Sequence, residues 1–326
     1  MDTLLNVENL KVIYEVDRGD VKAINDVSFS IKRGEIFGLV GESGCGKSTT
    51  AFAISRLLRQ PAKIVGGTIT FDGIDLTAMS DREFDKIRWS KISIVLQSAM
   101  NNLNPVIKIQ DQLIDVIITH KKVSVKEAIK RAEYLLELVD IPIDRLTSYP
   151  HQLSGGMRQR IVIAMALALD PGLIIMDEPT TALDVVVQKG ILKKIIELQG
   201  EFNFSILFIT HDLPMLLEIC DRIGVMYAGK LVEIAEQKAL LKQAKHPYTK
   251  GLLDSFPSLK GEMKRLKGIA GHTPDLISPP QGCNFHPRCP YAMDICKKKE
   301  PIDLQDNNSL VSCHLYSKEE SHVEPF

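Results

Sequence analysis

Gly41-Glu42-Ser43-Gly44-Cys45-Gly46-Lys47-Ser48-Thr49 fits the phosphate-loop pattern G-x-x-x-x-G-K-[S/T], with Gly41, Gly46, Lys47 and Ser48 at the fixed places. Ile36 to Val40 before it is a short apolar run of buried-strand type, and Ser48 to Arg59 after it reads as a helix. A strand feeding a glycine-rich turn and then a helix is what a phosphate cradle requires. The backbone N–H groups of Ser43 to Ser48 can wrap a polyphosphate, and the helix start adds positive potential. Lys47 supplies a point charge for the outer phosphates, and Ser48 a hydroxyl for Mg²⁺. The flanking strand and helix argue against a chance match in a glycine turn.

The 326 residues predict one large domain plus a smaller one, or two domains. Forty basic residues against forty-one acidic ones leave no net field to draw nucleic acid or an anionic membrane. No apolar run approaches the roughly 18–20 residues of a membrane span. The N-terminus shows no basic region followed by an apolar core. The expectation is a soluble cytoplasmic protein that reaches a membrane only through a partner.

Residues 4 to 13 and 23 to 31 read as strands joined by a polar hairpin-like segment, Glu15 to Asp20. Tyr14 ends the first strand; by position alone it reads as a half-buried strand tyrosine, although a ring there could stack on a base. Residues 64 to 76 predict a hairpin with Gly66-Gly67 and Asp72-Gly73 as turns. Residues 81 to 90 look helical, and Ile92 to Leu96 is an apolar strand ending at Gln97. An all-helical insertion is expected from about 98 to 154: a polar loop, Ser98 to Pro105, then helical periodicity over 107 to 140 broken at Lys121 to Ser124. Leu153-Ser154-Gly155-Gly156-Met157 leads into an apolar helix through Leu169. Ser154 is a good N-cap, and Gly155 and Gly156 leave backbone amides bare, which makes a second anion-binding helix start. Leu173 to Met176 is a fully apolar strand that delivers Asp177 and Glu178. Pro179 to Asp184 turns into a helix over 185 to 199. Phe204 to Ile209 is a strand with His211 beyond its end, and 223–227 and 230–234 form a hairpin around Ala228-Gly229. From about 240, prolines and lysines rise and clear strand patterns stop, which predicts a separate, irregular C-terminal module over 241–326.

Three apolar strands thus end in polar groups: the phosphate loop, Asp177-Glu178 and His211. In an open parallel sheet, ligands bind at the carboxyl ends of the strands, so the three are expected to converge on one nucleotide. Asp177 suits the coordination shell of Mg²⁺. Glu178 is the natural base or water-orienting residue for attack on the γ-phosphate. His211 can hydrogen-bond a γ-phosphate oxygen, and Gln97 can reach the metal or the water.

Taken together, these residues resemble the ATP-binding subunits of ABC transporters over residues 1 to about 240. Leu153 to Met157 looks like that family's signature sequence, Thr181 to Asp184 its D-loop, Gln97 its Q-loop glutamine, His211 its switch histidine and Tyr14 its adenine-stacking aromatic. The resemblance therefore reverses the bland reading of Tyr14. It implies an α/β fold: a P-loop ATPase core with an antiparallel β subdomain and a helical subdomain. It implies nucleotide contacts from Tyr14, Gly41, Ser43, Gly44, Cys45, Gly46, Lys47, Ser48, Thr49 and Thr50. It also implies a head-to-tail sandwich in which Ser154, Gly155 and Gly156 of one subunit face the γ-phosphate held by the other. Gly41 to Gly44, Leu103-Asn104-Pro105, His246-Pro247-Tyr248-Thr249 and Cys283 to Cys289 are similar to the dipeptide and oligopeptide importers, and so is the tail from about 240 to their C-terminal domain. Two departures are minor: Cys45 stands where many relatives have serine or alanine, and Met157 replaces a commoner glutamine. The implied partners are a second, related ATPase subunit in a heterodimer, two transmembrane permease subunits and, indirectly, an external solute-binding protein, at the cytoplasmic face of the membrane. Nickel or oligosaccharide is an alternative cargo. A soluble ABC ATPase of DNA repair or translation would carry a long coiled coil or two fused cassettes, and this chain shows neither. A binding module with a dead site is opposed by Glu178 and His211.

Four of the six cysteines, Cys283, Cys289, Cys296 and Cys313, fall in the last 44 residues. Their spacing is not the paired C-x₂-C of zinc ribbons or bacterial ferredoxins. Disulfides are not expected in a reducing cytosol. Four thiols in a proline-rich module with little core suggest a metal staple. The resemblance implies a [4Fe-4S] cluster, with tetrahedral Zn²⁺ as the alternative; His286 and His314 are near enough in sequence to compete as ligands. Cys220 reads as a core residue.

Overall fold

Alternating apolar and polar residues at the start of the chain build two long strands, β1 (Thr3–Val16) and β2 (Gly19–Lys32), in the computed structural model of the protein. The structure describes residues 2–97, 102–181, 183–255, 268–306 and 309–317. In chain order there follow β3 (Ile36–Val40), α1 (Lys47–Ile54), β4 (Ala62–Phe71), β5 (Ile74–Asp75), α2 (Asp81–Phe84), β6 (Ile92–Val95), α3 (Ile109–His120), α4 (Val125–Leu138), α5 (Gly155–Ala166), β7 (Leu173–Asp177), α6 (Val185–Phe202) and β8 (Ser205–Thr210). The chain continues with α7 (Leu213–Ile219), β9 (Arg222–Tyr227), β10 (Lys230–Glu236), α8 (Gln237–Gln243), α9 (Pro247–Asp254), β11 (Asp303–Asp306) and β12 (Ser309–Ser312). Ser98 to Asn101 of the expected loop, Ala182 of the turn before α6, and Pro257 lie outside the described residues. Among the described residues no helix is long and apolar enough to cross a membrane.

The chain divides into two compact units. The first comprises Met1–Leu4, Ile31–Glu35 and Asp75–Phe208. Here β6 and β7 run parallel, in register from Ile92 opposite Leu173 to Val95 opposite Met176, with β8 on the far side of β7. β7 is buried along its whole length, which its unbroken apolar run requires. The helical insertion is α3 and α4, which pack on each other through Ile109, Leu113 and Ile117 on one side and Ala128, Ala132, Leu135 and Leu136 on the other. The break between them is set by a capping box: Ser124 Oγ accepts from the Glu127 N–H, and the Glu127 carboxylate accepts from the Ser124 N–H at 2.8 Å. The expected helix over 81–90 is only α2; the chain then runs through turns to Trp89, whose φ is 63°, beside a bridge between Arg88 and Ile92.

The second unit comprises Leu5–Ser30, Ile36–Ile74 and Ile209–Phe326. One sheet runs β2-β1-β4-β5, with β1 and β4 antiparallel. Gly66-Gly67 is not a turn. It lies inside β4, at the register shift where Glu8 to Lys11 of β1 bulges, and a Cβ on Gly67 (φ 82°) would sit 2.4 Å from the Asn9 carbonyl oxygen. Asp72-Gly73 is the actual hairpin turn, both residues having positive φ. The other strands of this unit run β11-β12-β10-β9-β3. β3 and β9 are parallel, from Phe37 opposite Arg222 to Val40 opposite Val225. β9 and β10 form the expected hairpin through Ala228 and Gly229. The C-terminal segment is less irregular than its composition suggests. It adds β12 antiparallel to β10, with Val311 opposite Glu233, and β11 antiparallel to β12.

Candidate active site

The phosphate loop joins β3 to α1 in the second unit. Its three glycines all take positive φ: Gly41 157°, Gly44 78° and Gly46 107°. Two are also demanded by space. A Cβ on Gly41 would lie 2.1 Å from the Met226 carbonyl oxygen, and one on Gly46 would lie 2.5 Å from that of Ala23. Gly46 occupies the N-cap position of α1 in the left-handed conformation without a side-chain cap, so the first N–H groups of the helix stay bare. Lys47 is 6% exposed, and its Nζ donates to the Gly41 carbonyl at 2.7 Å and the Glu42 carbonyl at 3.0 Å. Thr50 is buried and its hydroxyl donates to the Gly46 carbonyl at 3.0 Å. Ser43 and Gly44 are exposed, and Ser48 and Thr49 are half-buried. Cys45 is buried, and that burial pushes its thiol up. Tyr14 is half-buried on β1, with its hydroxyl 3.3 Å from that of Thr49. His211 is exposed beyond β8, next to Asp212, which caps α7 by accepting from the Met215 N–H at 3.1 Å.

The acidic residues stand in the first unit. Asp177 closes β7 and is 1% exposed. Glu178 follows with φ 47°, a left-handed conformation that a non-glycine residue holds only when its surroundings impose it. Those surroundings include two donors to one oxygen: Glu178 Oε2 accepts from Gln97 Nε2 at 2.9 Å and from Thr181 Oγ1 at 3.0 Å. Gln97 and Glu178, singled out separately in the sequence, are therefore one hydrogen-bonded pair. Gln188 Nε2 donates to Thr180 Oγ1 at 3.2 Å and ties the same turn to α6.

The signature segment is the start of α5, also in the first unit. Ser154 is its N-cap and accepts from the Met157 N–H at 3.3 Å. Ser154 is exposed, and Gly155 and Gly156 are half-buried. A Cβ on Gly156 would lie 2.7 Å from Val187 Cγ1 of α6. Asp184 caps α6 through the N–H groups of Val186 and Val187 at 3.1 and 3.0 Å.

In the C-terminal segment, burial raises the thiols of Cys283, Cys289 and Cys313, Cys289 to about 11 and Cys313 to about 12. The cysteines add to the effect on one another: Cys283 and Cys296 both act on Cys289, and the other three all act on Cys313. The Cys283 N–H donates to the Cys296 carbonyl at 2.9 Å. Among the described residues no three His, Cys, Asp or Glu side chains are arranged to hold a single metal ion. His286 Nδ1 lies 3.0 Å from the Cys283 carbonyl, and His314 Nε2 2.9 Å from that of Lys299.

Sequence reasoning missed one set of contacts on the phosphate loop. The Glu42 N–H donates to the Tyr248 hydroxyl at 2.9 Å, and the Glu42 carboxylate takes both ends of the Arg288 guanidinium at 2.7 and 2.9 Å. Tyr248 is presented by α9, where His246 accepts from the Tyr248 N–H through Nδ1 at 3.1 Å and Pro247 opens the helix. Buried Glu233 accepts from the N–H groups of Lys245 and His246, and desolvation raises its carboxyl. The only signal was that both stretches, 246–249 and 283–289, stood out as resemblances, neither with a role at the phosphate loop.

The comparisons with known proteins agree in direction. A family model described as ABC transporter matches residues 24–181, and one described as oligopeptide/dipeptide transporter, C-terminal region, matches 232–296. The chain is 46% identical to the dipeptide transport ATP-binding protein DppD of Bacillus subtilis (strain 168), covering 99% of this chain and 98% of that protein. It is 44% identical to the oligopeptide transport ATP-binding protein OppD of Escherichia coli (strain K12), over 96% and 93%. Among solved structures it is similar to an ATP-binding cassette captured as a dimer in a post-hydrolysis state bound to ADP and Pi. That match has TM-score 0.65 and 30% identity, over 72% of this chain and 99% of that one. It is also similar to cbiO1 of Clostridium perfringens, part of an ABC transporter complex (TM-score 0.66, 29% identity, 74% and 92% covered).

Proposed function

Because this chain belongs to the ATP-binding proteins of oligopeptide and dipeptide ABC transporters, we propose that it binds and hydrolyses ATP to power import of di- or oligopeptides. The observation that carries this reading is the start of α1: a left-handed Gly46, bare amides and the Lys47 ammonium drawn onto the loop. That arrangement suits a polyphosphate and little else.

In this reading Tyr14 stacks on the adenine, and Gly41 to Thr50 hold the phosphates. Ser48, Gln97 and Asp177 would hold Mg²⁺, and the ion when bound would offset the phosphate charge. Glu178 orients the attacking water and takes its proton, its carboxylate fixed by Gln97 and Thr181. His211 hydrogen-bonds the γ-phosphate. Ser154, Gly155 and Gly156 serve the nucleotide of a second cassette in a head-to-tail sandwich. Support comes from the position of Gly155 and Gly156 as the first two residues of α5 and from the dimeric form of the similar cassette. The mate is a related ATPase subunit. Two permeases and an external solute-binding protein complete the transporter, and the chain works peripherally on the cytoplasmic face. Functionally the chain divides at about residue 240 into a cassette, 1–240, with helices over 98–154, and a peptide-importer module, 241–326.

For the four cysteines the proposal is a [4Fe-4S] cluster. Support comes from their proximity: the Cys283 N–H donates to the Cys296 carbonyl at 2.9 Å, and the other three thiols all bear electrostatically on that of Cys313. Four cysteine thiolates are the donor set such a cluster takes. When bound, it supplies a covalent staple for a segment with little core.

The test is Glu178→Gln in the assembled pair. Hydrolysis is expected to fall by about 10²–10⁴ while ATP is retained, since general-base contributions are of that order. The variant pair then runs as an ATP-dependent dimer in gel filtration. A pair that stays apart with ATP and the mate present refutes the sandwich.

A further inference from the structure

We propose that Arg288 is a positioning residue for nucleotide binding, neutralising Glu42 inside the phosphate loop and so making the cysteine segment a working part of the ATP site. The proposal rests on the loop being the triphosphate site, as argued above.

Glu42 is an awkward residue for such a loop. It is the second position of the cradle, it is acidic, and the expected ligand carries several negative charges. Left alone, its carboxylate would repel the phosphates that the loop amides attract. The structure shows how it is held. Arg288 lies between Cys283 and Cys289, and its side chain is 5% exposed. Its two terminal nitrogens reach the two Glu42 oxygens at 2.9 and 2.7 Å, a fork that matches the carboxylate. The fork is itself aimed by three contacts. Arg288 Nε donates to the Ala270 carbonyl at 2.9 Å, Nη2 to that of Ile269 at 3.3 Å, and Nη1 to the Tyr227 hydroxyl at 3.3 Å. The guanidinium also sits over the Tyr227 ring, 5.6 Å from its centre.

Glu42 is a joint as well as a charge. Its N–H is pinned to Tyr248, and its carbonyl accepts from Lys47 Nζ at 3.0 Å. One residue therefore connects the Arg288 fork to the lysine of the cradle. The neighbouring residues of the cysteine segment grip the same region. Asn284 Nδ2 donates to the Ala228 carbonyl at 3.1 Å, and the next residue, Gly229, donates to the Cys45 carbonyl at 3.1 Å. The rings of Phe285 and Tyr227 meet in a T-shaped contact, with centres 5.1 Å apart. Three residues of one seven-residue stretch thus act on the loop, and only Arg288 carries charge to it.

A purely structural Arg288 and a charge-neutralising one make different predictions for a second substitution at Glu42. The full-length chain is titrated with Mg-ATP by calorimetry, and thermal unfolding is recorded in parallel. Arg288→Ala is expected to weaken ATP binding on the order of tenfold, the scale of one uncompensated charge near another across a partly screened distance. Adding Glu42→Gln removes the repelling charge and is expected to bring affinity back to within about threefold of the unmodified chain, a coupling expected of contacting residues. Arg288→Lys keeps the charge without the fork and should fall between. It carries the same comparison if the alanine variant does not fold. The proposal is overturned if Arg288→Ala binds ATP as the unmodified chain does, or if the double variant binds as weakly as the single one. An unmodified chain that takes up no ATP overturns the site reading itself, before any variant is compared.

Discussion

Gly156→Ala tests whether the signature segment needs glycine for packing, for access to its amides, or for both. Gly156 is the second residue of α5 and is helical, so its backbone accepts alanine. Relative to glycine, alanine in a helix gains up to about 1 kcal/mol. The new Cβ, however, would stand 2.7 Å from Val187 Cγ1. Val187 is β-branched in α6, where one χ1 rotamer dominates, so it cannot swing away freely. Forcing it off-rotamer costs about 0.5–1.5 kcal/mol, and overpacking in general about 1–3 kcal/mol. The two terms nearly offset, so Gly156→Ala alone is expected to range from neutral to about 2 kcal/mol destabilised. The informative quantity is the coupling. In a Val187→Ala background the clash partner is gone, and the same change should stabilise by up to about 1 kcal/mol. The cycle of four chains then gives a coupling of about 1–3 kcal/mol. Thermal unfolding reads it, each kcal/mol shifting the midpoint of a chain this size by roughly 1–2 °C. Equal effects of Gly156→Ala in both backgrounds would refute the packing argument. ATPase activity of the assembled transporter separates the second role: the double variant regains packing but keeps a methyl group over the bared amides, so its turnover should stay below that of Val187→Ala alone.

Acid should weaken the fold through His246. Burial holds this imidazole neutral, with its pKa lowered from 6.5 to about 3. Above pH 6.5 neither state binds the proton and stability is whole; below it the unfolded chain takes the proton and the folded one does not. Stability should therefore fall by about 1.4 kcal/mol per pH unit from 6.5 toward 3 from this group alone. His246→Asn keeps a helix-capping acceptor and should lose that slope; urea unfolding at pH 7, 6 and 5 that shows no difference between the two chains would refute it. For the cysteines, anaerobic preparations should be brown with a band near 400 nm, about four irons per chain, and both should be lost when Cys289 is replaced by serine. A colourless chain holding one equivalent of zinc would reject the cluster.

What the sequence made legible is what short-range chemistry encodes. The glycine turn before Lys47, the Ser124 and Glu127 cap between α3 and α4, the Ser154 cap of α5 and the apolar run of β7 each depend on residues a few positions apart. Gly66-Gly67 shows where that logic misleads. Paired glycines signal a turn, yet here the need is for β4 to pass close to the bulged Asn9 backbone of β1, a partner more than fifty residues away. β11 and β12 were illegible for a related reason. Asp303-Leu304-Gln305-Asp306 has no apolar face, and β12 joins β10 through the pairs Glu233–Val311 and Ile234–Leu310, so the ladder rather than side-chain patterning defines them.

The phosphate-loop pattern itself conceals the most consequential residue of the site. G-x-x-x-x-G-K leaves position 42 open because backbone amides do the binding, so Glu42 enters the sequence reading only within the resemblance of Gly41 to Gly44 and without a chemical role. The choice becomes intelligible only with its counterpart, and Arg288 is 246 positions away. Reading Arg288 from its own neighbourhood fails as well, since the cysteines on either side claim the segment for metal. A local motif is legible when its chemistry is self-sufficient. Glu42 is the point at which the loop stops being so: its amide depends on Tyr248, its charge on Arg288, and its carbonyl on Lys47. In this chain the C-terminal segment reaches the loop at that one residue, through the Tyr248 hydroxyl and the Arg288 fork, so the reason for an acidic residue at position 42 is to be sought in 246–249 and 283–289.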